Sequence, residues 1–184
     1  PGDNNYLPAV SISQPLQVTV LPGVTDIIMP QFIQGVNGTN SNRLPFACYL
    51  KVHDLQPLTT YRYYTGAVIA SDAATSNGAG NPIFVAPSGF SKTSSASLAT
   101  AGAYGTLTTD ASGAYSGWFA IEPTGNATRF IPGNDVFIRI MLNDGAGGTV
   151  VNTRLTTLNS AKVINLVAAP GATNGSGLRG LSNA

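Results

Sequence analysis

Residues 49–68, YLKVHDLQPLTTYRYYTGAV, set two short apolar runs on either side of a proline. Upstream, Phe46, Cys48, Leu50 and Val52 fall on one side of an extended chain and Tyr49, Lys51 and His53 on the other, because strand side chains alternate. The apolar set is the expected core face of a strand over 44–53. Leu55, Pro57, Thr60 and Tyr61 then lead into a second strand over 62–70. Proline cannot donate to a ladder, so the stretch predicts two strands joined by a turn.

The same rhythm of short apolar runs cut by Gly, Pro, Asn and Ser recurs along all 184 residues, and no window keeps apolar residues at helical spacing. Further strands are expected over 25–33, 83–85, 105–109, 114–121, 136–142, 150–158 and 162–167. Residues 9–20 form a run interrupted by Pro15, read as an edge strand. Residues 35–42, 71–81 and 88–102 read as exposed loops, and the turn over 110–113 makes 105–121 a hairpin. The fold class is therefore all-β, with residues 1–168 as the β-sandwich domain and 169–184, rich in Gly, Asn and Ser, as a flexible tail or linker to a further domain. Whether the β region is one large domain or two small ones stays open.

Hydrophobic residues make up 43% of the chain and charged residues 9%, against roughly 25% charged in an average soluble domain. Such a neutral, hydroxyl- and amide-rich coat suits secreted adhesins, fibre subunits and capsid-like proteins. The net charge is +1, and no basic run is present to neutralise phosphates, so nucleic acid is not an expected partner. No stretch reaches the roughly 20 apolar residues that span a bilayer, so membrane insertion is not expected either. The chain starts at Pro1 without a leader, as a processed or excised segment does. A lone cysteine, Cys48, forms no internal disulfide and reads as a small buried apolar side chain. An extracellular protein without disulfides points to a bacterial or viral source.

Leu55, Pro57, Thr59 and Tyr61 resemble the Leu-x-Pro-x-Thr-x-Tyr signature of fibronectin type III and related immunoglobulin-like domains. In that family the tyrosine closes a corner between strands. The segment 105–119, GTLTTDASGAYSGWF, with Thr109, Asp110, Gly113 and Tyr115, is similar to a hairpin of bacterial surface sandwiches. Taken with 132–149, PGNDVFIRIMLNDGAGGT, and 175–184, GSGLRGLSNA, the whole chain resembles a domain of secreted multidomain surface proteins of the Bacteroidetes. The resemblance implies an immunoglobulin-like antiparallel β-sandwich with long loops, located outside the cell or at its surface. The chain is longer than a fibronectin domain and shows no sorting signal at its end.

Catalytic constellations are not expected. His53, the sole histidine, would have to anchor any Ser-His-Asp arrangement, and its neighbour Asp54 should point to the opposite side of the strand. Glu122, the sole glutamate, has no evident carboxylate partner among Asp110, Asp135 and Asp144. One Cys and one His do not make a zinc site. Asp110 and Asp144 sit in glycine-bearing loops, where calcium ligation stands as the alternative to plain turn formation. No cofactor is expected.

Two functions remain. The first is a non-catalytic structural or adhesive module, with filament or surface assembly through strand addition by Val10, Ile12, Leu16, Val18 and Val20, and with other copies of itself or cell-surface proteins and glycans as partners. The second is a carbohydrate-binding module of a secreted enzyme, stacking glycans on Trp118, Tyr49, Tyr63 and Tyr64. Trp118 and Tyr115 must face opposite sides of their strand. As the lone tryptophan of a sandwich, Trp118 is read first as the core anchor between sheets and second as an outward ring.

Overall fold

The structure is a computed structural model that describes residues 21–35, 44–86, 89–124, 128–143 and 153–164. The expected strand of Val10, Ile12, Leu16, Val18 and Val20, the loop carrying Asp144, and the segment 165–184 lie outside the described residues. One sheet is built from β1 (Gly23–Ile28), β3 (Phe46–His53), β8 (Tyr115–Glu122), β5 (Asn81–Ala86) and β6 (Gly89–Lys92), in that spatial order. The other runs β2 (Phe32–Gln34), β11 (Ala161–Ile164), β9 (Asp135–Asn143), β4 (Thr60–Val68) and β7 (Gly105–Thr108), and β10 (Thr153–Thr156) also pairs with β9. Every pairing is antiparallel except β2 with β11. Among the described residues, helix is confined to one 3-10 turn, Thr128–Phe130.

The alternation read in β3 holds: Phe46, Cys48, Leu50 and Val52 are buried, while Ala47 and Lys51 are exposed. They meet Val136, Ile138, Ile140 and Leu142 of β9 in one apolar core between the sheets. Each such side chain removed from water contributes about 1.5–3 kcal/mol before entropy is charged against it. This is an immunoglobulin-like antiparallel β-sandwich, as expected.

Two of the corners at which the chain crosses between sheets dock on each other. The first, 54–59, carries β3 into β4. Tyr61 Oη accepts the Gln56 N–H at 3.1 Å, so the tyrosine closes its corner as the motif implies. The second, 109–114, carries β7 into β8. Buried Thr109 donates its hydroxyl to the Gln56 carbonyl at 2.6 Å and accepts the Thr59 N–H at 2.9 Å. Leu55 N–H reaches the Gly113 carbonyl, and Leu58 N–H the Asp110 carbonyl, both at 3.1 Å. Gly113 has φ of +77°, and a Cβ there would lie 2.1 Å from the Leu55 carbonyl oxygen. Only glycine fits both demands.

This docking corrects the expected hairpin. β7 pairs with β4, and β8 pairs with β3 and β5, so the turn over 110–113 joins two sheets instead of two neighbours in one. The local turn chemistry is the same in both cases; the partner strands, distant in sequence, decide between them. Two smaller corrections follow. The run expected over 25–33 splits at Pro30 into β1 and β2, which belong to different sheets. The loop expected over 88–102 contains β6 and buries Leu98.

Candidate functional site

His53 and Asp54 come together against expectation. The chain leaves strand geometry at Asp54, whose φ is +59°, and this swings the carboxylate to 2.6 Å from His53 Nδ1. Alternation fails once the backbone enters the left-handed region. The imidazole lies over Gly23, its cross-strand partner, and no serine or cysteine joins it in the hydrogen bonds of the described residues. Cys48 is buried, with its thiol pushed up to about 12 by desolvation, as befits a packing residue.

The acidic candidates are each engaged locally. Glu122 pairs with Lys92 Nζ at 2.5 Å, and Asp135 with Lys162 Nζ at 2.8 Å. Asp110 Oδ1 accepts from Ser112 Oγ, Ser112 N and Ala114 N at 2.6, 2.8 and 3.0 Å. Those bonds, the Ser112 hydroxyl first, hold its pKa below the usual 3.8. Asp110 thus closes its own turn, and among the described residues no three His, Cys, Asp or Glu side chains cluster as metal ligands.

The aromatic candidates separate. Trp118 is 44% exposed, on the outer face of the first sheet, which corrects the core-anchor reading. The signal was available in sequence: Phe119 and Ile121 lie on the opposite parity from Trp118 and are both fully buried. Tyr49 stands directly across from Trp118, ring centroids 5.4 Å apart and planes at 66°. Tyr63 is the correction in the other direction. It is 3% exposed, packs edge-on against Phe84 and Phe119, and its hydroxyl is pushed up to about 12 by burial, so it offers no ring to a glycan. Tyr64 lies on the far side of the molecule, in the second sheet.

Two outer faces therefore carry the candidate chemistry. On the first sheet, register lines up an apolar row. Ile28 opposes Tyr49, Tyr49 opposes Trp118, and Val85 opposes Phe90. The pairing of Ile83 with Ala120 puts Val85 on the Trp118 face. Ile28 and Phe90 are 53% and 79% exposed. The row runs from one edge strand to the other, about 19 Å across five strands at normal spacing.

On the second sheet, Arg62, Arg139 and Arg154 share the outer face, by the pairings of Arg62 with Asn143, Gly66 with Arg139, and Arg154 with Met141. Arg129, from the 3-10 turn, reaches the same side. The loop 69–80 is fastened over them: Arg139 donates to the Ala73 carbonyl, Arg129 to Asp72 and Ser76, and Arg154 Nε to Asn77 Oδ1 at 3.0 Å. Desolvation first, then Arg154, holds the Arg139 pKa below that of a free guanidinium, and its Nε has no hydrogen-bond partner among the described residues. A second loop, 93–104, folds against Arg62. Arg62 Nη1 donates to the Leu98 carbonyl at 3.1 Å, and the guanidinium lies 4.7 Å from the Tyr104 ring centre. Sequence reading missed this cluster because its members are scattered over more than ninety residues and meet only through strand register.

No family model and no curated relative matches the chain. Among solved structures it is similar to macromomycin (13% identity, 73% of this chain and 96% of that one, TM-score 0.31). It is also similar to the seventh PapD-like domain of human CEP192 (11% identity, 87% and 98%, TM-score 0.28). A third is the seventh ScaB type I cohesin of Pseudobacteroides cellulosolvens (6% identity, 83% and 99%, TM-score 0.27). At such scores these likenesses carry neither partner nor activity to this chain. Among the described residues no helix is long and apolar enough to cross a membrane.

Proposed function

We propose that the chain is a non-catalytic structural or adhesive module of an extracellular or cell-surface protein, and that it assembles through the outer face of its first sheet. The observation that carries this reading is the apolar row from Ile28 through Tyr49, Trp118 and Val85 to Phe90. Exposed apolar rows of this kind mark contact surfaces. Thr25, Lys51 and Ser116 border the row on one side and Ala47, Ala120, Ile83 and Lys92 on the other, with Lys92 paired to Glu122, a setting suited to packing against protein. Neutral glycan stacking on the same face is less favoured, since Tyr49 and Trp118 meet edge-on and present no coplanar pair to a sugar chain.

The resemblance to Bacteroidetes surface modules supports the location. Strand addition by Val10, Ile12, Leu16, Val18 and Val20 remains part of the proposal, with β1 and β6 as the edge strands of the first sheet that could receive it. Light scattering and negative-stain microscopy of the wild type and of Phe90→Ser combined with Trp118→Ser test the reading. Concentration-dependent association that the double variant weakens at least about tenfold, or about 1.4 kcal/mol, is expected. A wild type that stays monomeric at millimolar concentration overturns it.

A further inference from the structure

We propose that the groove on the outer face of the second sheet binds an acidic saccharide, a sugar bearing carboxylate or sulfate groups. The groove is open to solvent, with about 480 Å³ of space between the sheet and the loop 93–104 and with Arg62, Tyr64, Ser97, Leu98 and Asn143 among its lining. That volume falls within the usual range for small-ligand sites, about 300–1,000 Å³. This site is separate from the assembly face and does not depend on it.

Tyr64 forms the floor. Its ring is partly buried against the core, and its hydroxyl is tied to Asn77. Two guanidiniums share its face, Arg62 in the lining of the groove and Arg154 beyond that lining. Arg62 stands two residues earlier on the same strand, about 7 Å away. Arg154 lies two strands across, since both Tyr64 and Arg154 oppose Met141, and its charge reaches the Tyr64 hydroxyl. Arg62 spends one donor on the Leu98 carbonyl and is held flat by Tyr104. The fork of five N–H groups leaves the rest for an oxyanion.

No Asp or Glu side chain among the described residues lines the groove. Asp72, a carboxylate at the edge of the cluster among the described residues, is spent on Arg129 and on the Ile69 N–H. Buried Arg139 adds further positive charge. In a chain with net charge +1, this local excess of cation is a strong departure from the mean.

An aromatic floor with hydroxyl and amide groups on the walls suits the C–H face and hydroxyls of a pyranose. Arg62 in the groove and Arg154 farther along the same face suit acid groups repeating along a polymer. An extended acidic peptide fits less well, because Arg62, Tyr64 and Asn143 lie in interior strands that offer no free edge for main-chain pairing.

Affinity electrophoresis tests this with four probes: polygalacturonate for carboxylate, dextran sulfate for sulfate, unmodified dextran as the neutral control, and poly-L-glutamate. Retardation by polygalacturonate, dextran sulfate or both is expected, with dextran inert. Whichever acidic polymer acts identifies the anionic group. Arg62→Gln, Arg154→Gln and Tyr64→Ala should each weaken retardation at least fivefold with the melting transition retained, and Phe90→Ser with Trp118→Ser should leave it unchanged. No retardation by either acidic polysaccharide, equal retardation by poly-L-glutamate, or indifference to all three groove substitutions overturns the proposal.

Discussion

On the first sheet Ile28, Trp118 and Phe90 are exposed, with no described residue laid over them, whereas on the second sheet Arg139 and Met141 are almost wholly covered. The difference follows from what each set of side chains demands. A guanidinium facing outward recruits carbonyls and hydroxyls, and the loops 69–80 and 93–104 supply them through Ala73, Ser76 and Leu98. An apolar row offers a loop no hydrogen bonds and waits for another surface. The two long loops among the described residues are thus both committed to one face, and no described loop covers the other.

The contrast breaks most severely if the frame that holds the faces back to back is damaged. Gly113→Ala forces a Cβ into the Leu55 carbonyl at a positive φ and is expected to cost about 3 kcal/mol in urea unfolding. Both faces should then be lost in one transition. Asp72→Ala acts on the second face alone. It removes the Arg129 ion pair and the acceptor of the Ile69 N–H, with an expected cost of about 2 kcal/mol. Hydrogen exchange should rise in 69–80 while association through Trp118 persists; faster exchange across β3 and β8 instead would show that the faces are not independent.

Two weaker effects sharpen the picture of the frame. Tyr61→Phe removes the acceptor of the Gln56 N–H and should lower stability by about 1 kcal/mol. The smallest effect is set by pH. The folded pKa of Asp110 is depressed below 3.8, so its contribution is present at neutral pH and fades as pH falls from that value through the folded pKa. Asp110→Asn should therefore lose stability relative to wild type at pH 7 and converge with it in acid; a constant difference across that range would refute the assignment.

Much of the frame was legible in the sequence because it depends on local patterns. Alternation in 46–52 fixed the core face of β3, and Leu55, Pro57, Thr59 and Tyr61 announced a corner that hydrogen bonding bears out. The segment around Asp110 and Gly113 reads as a turn, yet its role as a crossing between sheets is hidden in the sequence, since the strands that claim β7 and β8 lie far away in the chain. The site was less legible for a related reason. Periodicity says which residues share a side, not which side is covered. Tyr63 and Tyr64 are adjacent tyrosines, and only packing against Phe84 and Phe119 assigns the first to the interior.

The parallel pairing of β2 with β11 has a mechanical consequence. Lys162 N–H meets the Gln31 carbonyl and Gly35 N–H meets the Ile164 carbonyl, both at 2.8 Å. A pull towards the amino side of β2 and the carboxyl side of β11 slides the two strands past each other, so these bonds bear the load together instead of opening one by one. Under tension along a fibre or a tether, this seam works as a shear clamp.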